Sequence, residues 1–308
     1  MCKGFRGKLL KGERFSEHTT FKTGGLIPLY AEPVDEDDLM VLLEFFRKNS
    51  IPSFILGGGS NIVPADDDIA FAVISTEGFN SIDVSEKTDD EGTLLLICGS
   101  GTPIEKITDF CTENGISGLE SFSGLPGTAG GAAYMNARCY GVSICDVLES
   151  VKYARCSEQG FSFAGYSMNM GDWDYKKSPF QNTSDVIVSV TFRVRKGDKE
   201  EIKRKSESFV EDRKAKGHFR YPSAGSVFKN NREFGRPSGQ IIQDAGLRGL
   251  SEGGAQVAPW HGNIIINTGG ATSAEIKRLS EKVVVEVRRK FGFELENEIM
   301  FVDSGVVR

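Results

Sequence analysis

Ser123-Gly124-Leu125-Pro126-Gly127-Thr128-Ala129-Gly130-Gly131-Ala132-Ala133 is the stretch whose reading decides the fold. Four glycines fall between positions 124 and 131, with one proline and almost no side-chain bulk. Such a run cannot fill a core. It lets the backbone come close to something else and turns its N–H groups toward an anion. Gly57-Gly58-Gly59-Ser60-Asn61 has the same character and follows the apolar run at 51–56. Either loop alone reads as a tight turn. Together they read as two clamps on one diphosphate, and so on a bound dinucleotide.

The fingerprint of a nicotinamide-binding Rossmann unit is G-x-G-x-x-G between a strand and a helix. Gly57 and Gly59 begin that spacing, but Ile62 stands where the third glycine belongs. Gly99 and Gly101 begin it again, and Ile104 breaks it. The run from Gly124 has a period of three. No Gly-Lys-Ser/Thr follows any of these loops, so a Walker A site is absent as well. The dinucleotide must sit in another kind of fold.

The chain has 308 residues and a net charge of −6, which argues against nucleic acid as a partner. A length of this kind holds two or three domains and a substantial core. No apolar run approaches the roughly 18 residues of a membrane span, and the start carries no signal-peptide pattern. The six cysteines form no CxxC pair, as expected of reduced thiols in a cytoplasmic protein. The three histidines, His18, His218 and His261, are far apart in sequence, so neither a metal site nor a Ser-His-Asp hydrolase is expected.

Periodicity predicts a strand at 26–32, a helix at 34–49 and a strand at 51–56, a small βαβ opening. Strands are expected at 70–75 and 94–98. Thr102-Pro103-Ile104-Glu105 reads as a capping box opening a helix to Asn114, ended by Gly115. Further strands are expected at 151–154 and 186–194, then a polar connecting helix at 199–216. The last part reads as α+β: a strand at 226–229, a helix at 238–245, a strand at 263–267, a helix from Thr272-Ser273-Ala274-Glu275 to Phe291, and a strand at 293–302. The expected division is 1–75, 76–197 and 198–308.

Two places outside the glycine loops suggest chemistry. Ser226, in Tyr221-Pro222-Ser223-Ala224-Gly225-Ser226-Val227-Phe228-Lys229-Asn230, is either a turn serine or a hydroxyl held at a cleft. Without an adjacent histidine it suits proton donation better than nucleophilic attack. A period of two puts Glu296 and Glu298 on one face of the terminal strand, where edge charges are the favoured reading and a site acid the alternative.

Taken in order, these motifs resemble those of the UDP-N-acetylenolpyruvoylglucosamine reductase family. The resemblance runs from His18-Thr19-Thr20-Phe21-Lys22-Thr23-Gly24-Gly25 through the loops at 57–61 and 123–132. It continues through 221–230, the GQIIQDAGLRG stretch at 239–249 and Leu295-Glu296-Asn297-Glu298. It implies an α+β chain: an FAD-binding fold of the vanillyl-alcohol-oxidase (PCMH) type in two subdomains, plus a C-terminal substrate-binding domain. It also implies noncovalent FAD, NADPH as hydride donor and an enolpyruvyl UDP-sugar on the route to peptidoglycan.

By family position, Gly57, Gly58, Gly59, Ser60, Asn61, Gly124, Gly127, Thr128, Gly130, Gly131 and Asn136 would bind the cofactor. Ser226 would be the proton donor, Glu298 the acid beside the intermediate and Lys176 the cation that meets it. Tyr175, Lys214 and Asn230 would contact the sugar nucleotide. The cations before the serine motif, Arg213, Lys214, Lys216 and Arg220, suit its diphosphate, and they suit a solvated helix end equally.

Three departures stand out. Lys176 replaces the family's arginine in Tyr-Arg-x-Ser, exchanging a bidentate guanidinium for a point charge. Arg138 and Cys139 replace Gly-Ala in the flavin loop, and Asn231 replaces a proline. Between Phe180 and Val186 there is no room for the tyrosine-bearing loop of one family branch, so the chain resembles the shorter branch. An oxidase or dehydrogenase of the same fold is the alternative activity, and a flavin-binding protein with impaired catalysis is the alternative class.

Overall fold

The computed structural model describes residues 2–86 and 92–305. Its first sheet has the spatial order Lys8–Leu10, Tyr30–Glu32, Ala72–Ser75, Ser53–Leu56. The first pairing is antiparallel and the other two are parallel. Helix Glu36–Lys48 covers it. Asp35 caps the helix by accepting from the Asp38 N–H at 2.9 Å, and three acidic residues fill the positive first turn. Leu39, Leu42, Leu43 and Phe46 lie on its buried stripe. The expected βαβ opening is present, with Ala72–Ser75 inserted between its two strands. The strand expected at 26–32 is two pieces, Leu26–Ile27 and Tyr30–Glu32, separated at Pro28.

The second sheet is antiparallel, in the order Gly160–Ser167, Leu148–Ser157, Val186–Lys196, Thr93–Gly99, Ile82–Glu86. Along Val186–Lys196, Val188, Val190, Phe192 and Val194 point inward while Arg193 points out. Those from Val190 onward pack with Leu96, Ile107, Phe122 and Ala133 into one core. The first sheet's core takes in Ala154, Val186 and Val188, so the two sheets are joined. Helix Ile104–Asn114 ends at Gly115 in the left-handed conformation, as expected. Its start differs from the expected capping box: Pro103 is the N-cap, and the Thr102 hydroxyl donates to the Ser81 carbonyl at 3.1 Å instead.

The C-terminal part packs helix Ser273–Phe291 and helix Ser238–Asp244 on a three-stranded antiparallel sheet, Ser251–Glu252, Ala255–Val257 and Ile265–Asn267. The capping box at Thr272 and Glu275 is formed, and Gly292 ends the long helix at φ +72°. Ile276, Leu279, Val283 and Val287 recur at helical spacing and are buried. The strand expected at 226–229 is only two isolated bridges, Ser226 to Ile264 and Phe228 to Asn297. The last strand is short, Met300–Val302. It leaves this part and runs parallel to Ile62–Pro64, the strand leaving the first glycine loop. That pairing brings the end of the chain to the loop.

Candidate functional site

A cleft of about 1600 Å³ opens where these units meet. Its floor is the two glycine loops, which touch each other. A Cβ on Gly58 would lie 2.7 Å from Gly127 Cα, and one on Gly57 would lie 2.8 Å from Thr128 Oγ1. Gly59 stands at φ +59° against the His18 carbonyl. Ser60 Oγ donates to the Pro126 carbonyl at 3.3 Å. Side chains have no room here, which is why both loops are glycine.

Gly57 to Asn61, Gly127, Thr128, Gly130 and Gly131 line the cleft. Gly124 and Asn136 stand behind its wall. Gly124 packs under Arg213 and Phe219. Asn136 is buried, its Nδ2 donating to the Asp174 carbonyl at 2.9 Å and its Oδ1 accepting from the Cys145 N–H at 3.1 Å.

In the same cleft, Lys176 Nζ lies 2.6 Å from Glu298 Oε1. Burial pushes the Glu298 carboxyl above its ordinary value, and the Lys176 ammonium pulls it part of the way back. Glu298 is placed by the first glycine loop: Asn61 Nδ2 donates to its carbonyl at 3.0 Å, and the Asn61 carbonyl accepts from the Met300 N–H at 2.9 Å. The Glu298 N–H in turn donates to the Val227 carbonyl at 2.7 Å. Ser226, one residue before, lines the same cleft.

The expectation that Glu296 and Glu298 share a face fails. Residues 293–299 are not strand, and Glu296 lies in solvent, paired with Lys229 at 2.5 Å. Glu298 is no edge charge; it is held in the cleft.

Of the cations before the serine motif, Arg213, Lys216 and Arg220 line the cleft. Lys214 does not reach it; its ammonium pairs with Glu211 at 2.8 Å in solvent. Successive residues of helix Lys199–Ala215 diverge by about 100°, so an inward Arg213 sends Lys214 outward. Arg213 is buried, with Nη2 donating to Cys139 Sγ at 3.0 Å and the Tyr140 ring 5.7 Å from its guanidinium. Arg138 lines the cleft and donates to Ser143 Oγ at 3.1 Å.

Asn230 also lines the cleft, with Oδ1 accepting from the Ser238 N–H at 2.9 Å. Tyr175 is exposed and does not line the cleft, but its hydroxyl accepts from the N–H of the lining residue Asn230 at 3.3 Å.

Sequence reasoning missed two histidines. His218 and His261 lie far apart in the chain, yet their rings stand 6.0 Å apart on the cleft wall. Burial and the nearby Arg213 lower His218 to about 4, so it is neutral near pH 7. No local pattern announces a pair made by tertiary contact.

Residues 217–302 match the family described as UDP-N-acetylenolpyruvoylglucosamine reductase, C-terminal domain, and residues 27–158 match an FAD binding domain. A UDP-N-acetylenolpyruvoylglucosamine reductase of Treponema denticola is 47% identical over 292 residues, 92% of this chain and 90% of that one. This chain belongs to the UDP-N-acetylenolpyruvoylglucosamine reductase family. The reductase of Treponema pallidum is 39% identical, covering 94% of this chain and 92% of its own. A solved reductase from Thermus caldophilus superposes with a TM-score of 0.75 at 27% identity, over 96% of this chain and 99% of that one.

The architecture is the expected one for a reductase of this family, an FAD-binding fold of the vanillyl-alcohol-oxidase type followed by a C-terminal α+β domain. The residues fit FAD. The glycine loops give the cleft a floor without side-chain bulk, although the Gly130 N–H is spent on the Ser100 carbonyl at 2.8 Å and the Gly131 N–H on Thr128 Oγ1 at 3.4 Å, and Ser100 Oγ at the cleft is buried with no hydrogen-bond partner. Among the described residues, no helix is long and apolar enough to cross a membrane.

Proposed function

We propose that this chain reduces UDP-N-acetylglucosamine enolpyruvate to UDP-N-acetylmuramate, with NADPH as hydride donor and noncovalent FAD as cofactor, in the cytoplasm. The observation that carries this reading is one cleft lined by both glycine loops, Ser226 and the Lys176–Glu298 pair. We also propose the division at 75 and 197, with the third part receiving the sugar nucleotide.

FAD bound over the glycine loops would supply two-electron redox chemistry linking NADPH oxidation to reduction of the enolpyruvyl group at its methylene carbon. The chain's own residues do the rest. Ser226 Oγ delivers the proton to the carbon that bears the carboxylate. Negative charge develops beside that carboxylate, and the Lys176 ammonium meets it in a site from which most water is excluded. Glu298 holds that ammonium and keeps its own proton more readily than a solvated carboxyl does. Arg213, Lys216 and Arg220 form the basic wall suited to the diphosphate of the sugar nucleotide.

The test is spectroscopic. The purified protein should be yellow, bleach anaerobically with NADPH, and recolour on addition of the enolpyruvyl sugar. Rapid recolouring by oxygen with no response to the sugar would favour the oxidase reading. No bleaching would favour a flavin-binding protein without this activity.

A further inference from the structure

Lys176 sits on an uncommon backbone. Asp174 and Lys177 close a turn by exchanging both backbone hydrogen bonds, at 3.0 and 3.4 Å, and Lys176 is the third residue of that turn. Its φ is +59°, a left-handed conformation that glycine or asparagine ordinarily fills. A long side chain there needs something to hold it.

Gln181 does so. Its Nε2 donates to the Lys176 carbonyl at 3.1 Å and to the Tyr134 carbonyl at 2.9 Å. Both partners are acceptors only, so the nitrogen end of the carboxamide is the end that faces them. Ser178 Oγ donates to the same Tyr134 carbonyl at 2.7 Å. Asn136 secures the other end of the turn through the Asp174 carbonyl. Tyr134 is the last residue of helix Ala129–Tyr134, which the central glycine run opens. Gln181 therefore ties the back of the cofactor loop to the backbone of the lysine.

We propose that Gln181 is a positioning residue for Lys176, fixing the turn from which the ammonium reaches Glu298. This rests on the reading of Lys176 as the charge that meets the developing anion.

Gln181→Leu keeps most of the side-chain volume and removes both donors. Recolouring by the sugar should slow about tenfold, the scale of a modest misplacement of one catalytic group, while bleaching by NADPH stays within about twofold of the parent. In a Lys176→Ala background the same change has no lysine to misplace and should slow recolouring by less than about twofold more. Equal slowing in both backgrounds would make Gln181 merely structural and overturn the proposal, as would no slowing in the parent.

A second readout needs no substrate. The Lys176 side chain is only 11% exposed, and the freed turn in Gln181→Leu should be cut by trypsin after Lys176 several-fold faster than in the parent. Unchanged cleavage overturns the proposal even if the parent never turns over the sugar, an outcome that would by itself sink only the assigned activity. Should Gln181→Leu not fold, as judged by flavin retention and melting temperature, Gln181→Met serves in both measurements.

Discussion

Lys176 Nζ and Glu298 Oε1 are 2.6 Å apart, with side chains only 11% and 12% exposed, and they join residues 122 positions apart in the chain. An ion pair so far from water gives up much of its hydration, and its Coulomb attraction recovers that only with close geometry. Such a pair is weak evidence for stability. At a cleft lined by a candidate proton donor, it is better evidence for chemistry.

The first prediction follows from the lysine. Lys176→Ala should lower turnover by about 10²-fold or more, the scale for losing one contact to transition-state charge. Lys176→Arg should keep much of the activity, because a guanidinium can meet both a carboxylate and Glu298. Steady-state rates decide it. An alanine variant as fast as the parent would move the role to Arg138, which lines the cleft where Lys177 does not, or remove it.

The second concerns how the cofactor is held. Cys139, the thiol beside the flavin loop, is buried against Arg213, and its proton is held above the ordinary range, chiefly by burial. It is poorly suited to a covalent flavin link. Acid precipitation should release all the yellow colour to the supernatant. Colour remaining with the pellet would show a linkage and overturn the noncovalent reading.

The third concerns the contact between the loops. A methyl at Gly58 would press on the Gly127 backbone at 2.7 Å, and backbone cannot swing aside as a side chain can. Overpacking of this kind costs about 1–3 kcal/mol, so Gly58→Ala should weaken flavin retention by roughly tenfold or more. Gly165→Ala, on an outer strand with open space around it, is the control and should bind as the parent does. Equal retention in both would mean the loops do not act as one clamp.

Local signals in the chain are legible and tertiary ones are not. The glycine loops are legible because a run so dense in glycine gives up side-chain packing for close backbone approach, and their failure of the Rossmann spacing points away from that fold. The long helix is legible from its capping box and its apolar stripe. A period of two carried through 293–302 puts Glu298 on one face with Glu296, whereas Asn297 makes one isolated bridge and the strand begins only at Met300; family position alone set Glu298 at the site. Lys214 is singled out over Arg213 by family position only, and nothing in one helix says which face will meet Cys139 and Tyr140. The two cleft histidines depend wholly on tertiary contact.

The fourth prediction is a pH dependence. His218 is lowered from 6.5 to about 4, first by burial and then by Arg213, His261 and Lys216, with Asp212 opposing. The unfolded chain therefore takes up a proton before the folded one does. Stability present above pH 6.5 is lost as pH falls toward 4. His261 is lowered too and acts in the same direction. Melting temperatures at about pH 7 and about pH 5 should differ less in His218→Gln than in the parent. An undiminished difference would place the sensitivity elsewhere.

The last prediction separates the two half-reactions through Ser226. Its backbone bridges Ile264, and its neighbour Val227 accepts from the Glu298 N–H, so the serine and the buried acid share one rigid junction. Transfer of hydride from NADPH involves no carbon that must gain a proton, and a hydroxyl at 226 has nothing to do in that step. Reduction of the enolpyruvyl group needs a proton delivered to carbon, and an alanine offers only a poorly placed water. Ser226→Ala should therefore bleach with NADPH at nearly the parental rate and recolour with the sugar about 10²-fold or more slowly, the usual scale for a positioned general acid. Ser226→Cys should recover part of the second step, since a thiol is a usable acid. Stopped-flow traces of both steps decide the matter. Equal slowing of the two would make the serine a structural residue of the junction, and loss of bleaching alone would place it at the nicotinamide.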